Sequence, residues 1–215
     1  MAPSRLLLVE GPDDVHTLVA LLRHHGIALN ERGFEERDKI TLRDGGGFES
    51  LRDIVRLQLR PVDTDLVLQR LGIVVDADDD LLGRWQSVRD ILNRTGYVHI
   101  PDEPQPEGTV VYQDDRPSVG VWLMPDNTLP GMLEHFVEFL VPQDDGLWQH
   151  ANGCLDQLPE RRFPQQHKMK AHVHTWLAWQ AEPGKPIGQA ITKRYLDADA
   201  PHATQFIRWV RRTFQ

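Results

Sequence analysis

"LGIVVDADDD", residues 71–80, runs from an apolar stretch straight into four acids among its last five residues. A continuous apolar run bounded by polar residues reads as a strand buried on both faces. Asp76, Asp78, Asp79 and Asp80 then stand where that strand emerges. Like charges this close repel, which is unfavourable unless water solvates them or a cation neutralises them. A solvated loop and a cation site are the two readings, and the rest of the chain has to decide between them.

Upstream, "RLLLVE" (5–10) has the same form, a short apolar run closed by an acid and followed by glycine. "GPDDVHTLVALLRHHG" (11–26) reads as a helix. Pro12 suits its first position, Asp13 and Asp14 complement the positive end of its dipole, and Gly26 can close it. Val15, Leu18, Val19 and Leu22 fall on one face. "KITLRDGGG" (39–47) reads as a strand ending in glycines. "FESLRDIVRLQL" (48–59) reads as a helix with Phe48, Leu51, Ile54, Val55 and Leu59 inward. "RLGIVVDAD" is a third strand, and "LLGRWQSVRDILNRTG" (81–96) a third helix. Three strand–helix alternations in about 95 residues predict an α/β fold, a Rossmann-like parallel sheet with helices on both faces.

Residues 97–130 break that rhythm. "YVHI", "GTVVYQ" and "SVGVWLM" read as short strands, the last as a fourth strand of the main sheet. "PGMLEHFVEFLV" (130–141) predicts a short helix, and 142–164 reads as loop-rich. "HKMKAHVHTWLAWQA" predicts another helix, "GQAITKRYLD" a short segment, and "HATQFIRWVRRTF" a final helix. The reading therefore divides the chain into a domain over 1–130 and a mostly helical C-terminal extension over 131–215, packed on it.

The 215 residues are 40% hydrophobic and 26% charged, ordinary for a globular protein. No apolar run approaches the roughly 20 residues that cross a bilayer, and the apolar run near the N-terminus is too short for a signal peptide. One cysteine, Cys154, excludes an internal disulfide and a cysteine-based zinc site. A cytoplasmic location is the expectation. The net charge of −8 is unevenly spread: residues 161–215 hold ten Lys or Arg against three acids, leaving 14 against 29 in residues 1–160. That asymmetry suits a polyanion partner, and equally a basic segment complementing an acidic body.

In open α/β sheets ligands bind beyond the carboxyl ends of the strands. Glu10 ends the first strand and Asp76 the third, with Asp78 two residues on, so adjacent parallel strands would bring these carboxylates to one rim. Asp14, one turn into the first helix, can face the same rim, though helix-dipole complementation accounts for it as well. Oxygen ligands of this kind suit Mg²⁺ or Mn²⁺.

"LLLVEGPDDVHTL", followed about 65 residues later by "GIVVDADDD", resembles the Toprim domain of bacterial primases, topoisomerases and nucleases of the overcoming-lysogenization-defect family. The resemblance covers residues 5 to about 125. It is closest to small stand-alone Toprim-like proteins of unknown function, in which Asp-Ala-Asp is followed by an arginine–tryptophan pair, here Arg84-Trp85. Many Toprim domains carry glycine three residues after the second aspartate; this chain has Leu81 there and Gly83 two later. The resemblance implies Glu10 as general acid or base and Asp76 and Asp78 as metal ligands. It also implies a second-metal acid, matching Asp14, a later glutamate, for which Glu134 is the candidate, and a basic residue, Lys168 or Lys170. For both lysines a solvated helix face is the plainer reading.

Other features weigh less. "DGGGFESL" could cradle a phosphate at a helix N-terminus or simply form a flexible turn. His172 and His174 do not share a helix face, which argues against zinc. Trp176, Trp179 and Trp209 suit core packing better than base stacking. The leading expectation is a Mg²⁺- or Mn²⁺-dependent, nuclease-like enzyme cleaving phosphodiesters of DNA or RNA, with Lys168, Lys170, Arg208, Arg211 and Arg212 contacting nucleic acid. The alternative is a non-catalytic nucleic-acid- or protein-binding module, such as a subunit of a defence system. No membrane association is expected, and the sequence leaves oligomeric state and any partner protein open.

Overall fold

The computed structural model describes residues 3–31, 36–60 and 68–215. The sheet has five strands in the order β2-β1-β3-β5-β4: β1 Arg5–Val9, β2 Thr41–Asp44, β3 Arg70–Asp76, β4 Thr109–Val111 and β5 Ser118–Met124. The first three and β5 are mutually parallel, and β4 pairs antiparallel with β5 at the edge. Between them run α1 Pro12–His24, α2 Phe48–Gln58 and α3 Leu81–Arg94. After β5 come α4 Leu133–Glu138, α5 Gly146–Asp156, α6 Lys168–Ala178, α7 Ile187–Thr192 and α8 Pro201–Phe214. The chain is an α/β protein with a Rossmann-like, mostly parallel sheet, helices on both faces and a helical C-terminal part.

Because successive side chains of a strand point to opposite faces, the apolar runs feed two cores at once. Leu7, Val9, Val74, Trp122 and Met124 face one core, where α1 and α4 to α8 pack. Leu6, Leu8, Ile73, Val75, Val121 and Leu123 face the other, closed by α2 and α3. In the first core Trp122 meets Phe206 edge-on at 5.2 Å and lies 5.6 Å from Trp209. Trp176 and Trp209 are fully buried, so both are packing residues; Trp179 remains partly exposed.

Two glycines set how close α8 comes. Gly72 and Gly120 are register partners on β3 and β5. A Cβ at Gly120 would lie 2.2 Å from the Thr213 hydroxyl, and one at Gly72 3.0 Å from the Phe214 ring. The helix therefore rests directly on the backbone of two strands. Phe206 and Trp209 sit at Trp122, while Thr213 and Phe214 sit nearer the strand starts, so α8 descends from the carboxyl end of the sheet toward its amino end.

Two local expectations are corrected. Residues 97–100 form no strand: Tyr97 turns inward and its hydroxyl donates to the Pro117 carbonyl at 2.6 Å, which ties the segment to the sheet by a side chain. The loop-rich stretch 142–164 contains α5, capped by Asp145, whose carboxylate accepts from the Trp148 N–H at 2.9 Å. "GTVVYQ" does contribute a strand, the antiparallel edge β4.

Candidate functional site

Parallel β1 and β3 are direct neighbours, so the residues that follow them emerge side by side. Glu10 and Asp76 meet there: the Asp76 backbone N–H donates to Glu10 Oε2 at 3.2 Å. The glycine turn after β2 closes over the same point, with the Gly47 N–H donating to the Glu10 carbonyl at 2.9 Å. Four helices, α1 to α4, begin at this rim, and their positive dipole ends favour negative charge. The start of α4 uses this directly, the Leu133 N–H donating to Asp76 Oδ1 at 3.0 Å.

Asp14 is buried one turn into α1, its Oδ2 accepting from the Gly11 N–H at 3.1 Å. Burial first, and then the charges of Glu10 and Glu134, push its carboxyl up to about 7. Burial raises Asp76 well above the usual carboxylate range, and the charges of Asp14, Glu10, Glu134 and Asp78 raise it further. Glu10 is raised by burial too, against the opposing pull of the Asp76 N–H and the Arg84 guanidinium. The charges that raise Asp76 put the other four acids within its electrostatic reach. Repulsion inside such a group is of order a few kcal/mol at an effective dielectric of about 20.

The four acids of the opening motif have separate fates. Asp76 is drawn into the rim. Asp78 holds a left-handed backbone at φ 52°, fixed by its N–H donating to the Gly131 carbonyl at 2.8 Å. Such a conformation in a residue other than glycine is a local strain that surrounding contacts must hold. Asp79 is exposed and lines the adjoining cleft. Asp80 caps α3, accepting from the Gly83 N–H at 2.9 Å.

Glu134 is almost fully buried and pairs with Lys170 at 3.5 Å. Lys168 instead pairs with Asp156 at 2.7 Å. Next to the acids opens a cleft of about 1010 Å³, whose walls include Asp78, Asp79, His135, Trp148 and Lys168. His172 stacks on Trp148 at 3.7 Å and bonds its carbonyl at 2.8 Å, a packing role. The arginines of α8 are elsewhere. Arg211 reaches the His25 carbonyl beyond the far end of α1, and Arg212 the carbonyls of Glu107 and Gly108 before β4. The structure thus brings Glu10, Asp14, Asp76, Asp78, Glu134 and Lys170 together, sets Lys168 at the edge of the cleft, and leaves the α8 arginines away from the rim. Arg208, exposed on the same helix, has no contact among the described residues that ties it to the rim.

One residue of the site escaped sequence reasoning. Arg84, in the first turn of α3, pairs with Asp78 Oδ2 and lies 3.8 Å over the Phe48 ring. The resemblance marked it through the Arg84-Trp85 pair, one turn beyond the acids, but gave it no role. Its neighbour Trp85 is core, with its indole N–H donating to the Asp102 carbonyl at 3.1 Å.

The donor set fits a hard divalent cation: all oxygen, partly buried, and repulsive until neutralised. Glu10, Asp14, Asp76, Asp78 and Glu134 could contribute to holding one. Among the described residues, however, the one trio whose ligand atoms all lie within 4.8 Å is His24, His25 and Asp199. That trio lies at the opposite end of α1, and both histidines are already hydrogen-bonded, His24 to Asp199 at 3.2 Å and His25 to the Ala198 carbonyl at 2.9 Å. No three of the described rim carboxylates lie that close together.

A Rossmann-like α/β protein with an acidic carboxyl rim is the class that fold and site define. The chain belongs to the family described as Protein of unknown function (DUF3226), which matches residues 4–215. No curated protein and no solved structure matches it significantly. Among the described residues no helix is long and apolar enough to cross a membrane.

Proposed function

We propose that this protein is a metal-dependent, nuclease-like enzyme of Toprim type that cleaves phosphodiester bonds in DNA or RNA. The observation that carries the reading is the convergence of carboxylates from four segments, Glu10, Asp14, Asp76 with Asp78, and Glu134, at the rim where open α/β sheets bind ligands. Asp14 and Asp76, raised this far by burial and by neighbouring acids, are poised for a cation.

Mg²⁺ or Mn²⁺ bound by Asp76 and Asp78, with Asp14 and Glu134 nearby, would neutralise phosphate charge and polarise the scissile bond. Glu10 then serves the proton transfers. Its raised affinity for a proton, set by burial, brings it closer to neutral pH than an exposed glutamate. The Asp76 N–H keeps its carboxylate in place. Lys170, held beside the group by Glu134, can offer its ammonium to a phosphate oxygen.

The test is cleavage of labelled single- and double-stranded DNA and RNA with Mn²⁺, wild type beside Glu10→Gln. Cleavage by the wild type, lost in Glu10→Gln with binding retained, is the expected result. Binding without cleavage on every substrate favours a non-catalytic binding module, a reading that the existing Arg84–Asp78 pair supports, since it neutralises Asp78 without metal.

A further inference from the structure

We propose that Arg84 is the phosphate ligand of this site and that its pairing with Asp78 weakens divalent-ion binding until a phosphodiester takes the place of Asp78. The inference rests on the metal-dependent reading above and names the residue that couples metal to substrate.

The geometry is specific. The Arg84 side chain is only 14% exposed, whereas its partner Asp78 is 51% exposed. A guanidinium this enclosed needs an anion beside it, because an unpaired buried charge is costly. Its plane is held by the Phe48 ring, 3.8 Å from the guanidinium carbon. Phe48 opens α2 immediately after the glycine turn whose Gly47 N–H bonds the Glu10 carbonyl. Arg84 is thus held between Asp78 and the start of α2, whose leading turn is bonded to Glu10, and its charge reaches the Glu10 carboxylate. The Asp78 backbone is also fixed, so exchange of partners there needs only side-chain rotation.

When Asp78 turns to a divalent ion, Arg84 loses its anion while a second positive charge arrives close by. Both effects oppose metal binding to the free protein. A phosphodiester removes both, since a guanidinium binds phosphate oxygens through the same paired donors that it offers a carboxylate. Metal and nucleic acid therefore bind with positive coupling through one side chain, and such coupling is reciprocal.

Calorimetric titration of Mn²⁺ into the full chain tests this, in wild type, Arg84→Met and Arg84→Lys. Methionine keeps the stem on Phe48 and removes the charge. Arg84→Met is expected to bind Mn²⁺ more tightly by at least about fivefold when no nucleic acid is present. In a Glu10→Gln background, where a short fluorescent single-stranded oligonucleotide stays intact, it is expected to bind that oligonucleotide about tenfold more weakly with Mn²⁺. Arg84→Lys keeps the charge without the fork, so it should hold Mn²⁺ affinity near wild type and still weaken the oligonucleotide; it decides the matter if Arg84→Met does not fold. Mn²⁺ binding by the wild type that is unchanged or weaker in Arg84→Met overturns this inference alone. So does unchanged oligonucleotide affinity. Absence of Mn²⁺ binding in every variant overturns the metal-dependent reading and this inference with it.

Discussion

The backbone N–H at the end of one strand holds the acid that ends its neighbour: Asp76 N donates to Glu10 Oε2 at 3.2 Å, across 66 positions of sequence. Only the parallel pairing of β1 with β3 makes that bond possible. The site is therefore a product of sheet topology, and gathering acids at one rim has measurable consequences.

Acids raised by burial and by one another oppose folding. If they hold a cation as proposed, melting of the chelated wild type should rise on adding Mn²⁺, because a ligand of the folded state stabilises it. Replacing both Asp76 and Asp78 with Asn should abolish that shift and raise the metal-free melting temperature. Differential scanning calorimetry with and without Mn²⁺ measures both effects; an undiminished Mn²⁺ shift in the double variant counts against these ligands.

Asp14 supplies a pH signature. Its carboxyl ionises near 3.8 when unperturbed and at about 7 in the fold, so between those values the folded state binds more protons. Stability from this group is then present at low pH and lost as pH rises toward 7. Asp14→Asn keeps an oxygen for the Gly11 N–H and removes the titration. Chelated Asp14→Asn should match the wild type near pH 4 and exceed it at pH 8 by of order 4 kcal/mol. Denaturant titrations across that range give the difference directly, and a gap that does not widen with pH contradicts the shift.

Much of this was legible in the sequence. Glu10, Asp76 and Asp78 could be found because apolar runs end abruptly in acids, and strand–helix alternation placed those ends on one rim. The helix α5 was not legible. Gly146, Asn152 and Gly153 are poor helix formers, and the segment is held by Asp145 capping and by Trp148 packing on His172 and Trp176. Arg84 stands in plain view beside Trp85 but shows no role there, since its contact with Phe48 joins two helices that only the fold brings together. Charge counts over 161–215 yield a sum but no positions, so they could not separate Lys170 at the rim from Arg211 and Arg212 beyond it.

That separation is measurable. If nucleic acid is held at the rim, replacing Lys168 and Lys170 with Gln should flatten the salt dependence of binding, by roughly 0.7 to 0.9 in slope for each phosphate left without its lysine. Replacing Arg208, Arg211 and Arg212 should leave the slope nearly unchanged. Fluorescence anisotropy over a salt series reads this, and the reverse ranking would move the binding surface to α8.

The packing of α8 should be separable from the site. Gly120→Ala puts a methyl 2.2 Å from the buried Thr213 hydroxyl and forces the helix or the strand to shift. A destabilisation of about 1–3 kcal/mol is expected, with the melting shift on Mn²⁺ retained. Chemical denaturation with and without Mn²⁺ checks both, and unchanged stability would contradict the close approach.

The central claim is that the rim acids hold a divalent ion, and electron paramagnetic resonance of Mn²⁺ tests it most directly. The wild type should convert free Mn²⁺ to a bound species saturably, and Asp76→Asn should abolish or greatly weaken that binding while remaining folded. Equal Mn²⁺ binding by wild type and Asp76→Asn, or none by a folded wild type, would contradict it.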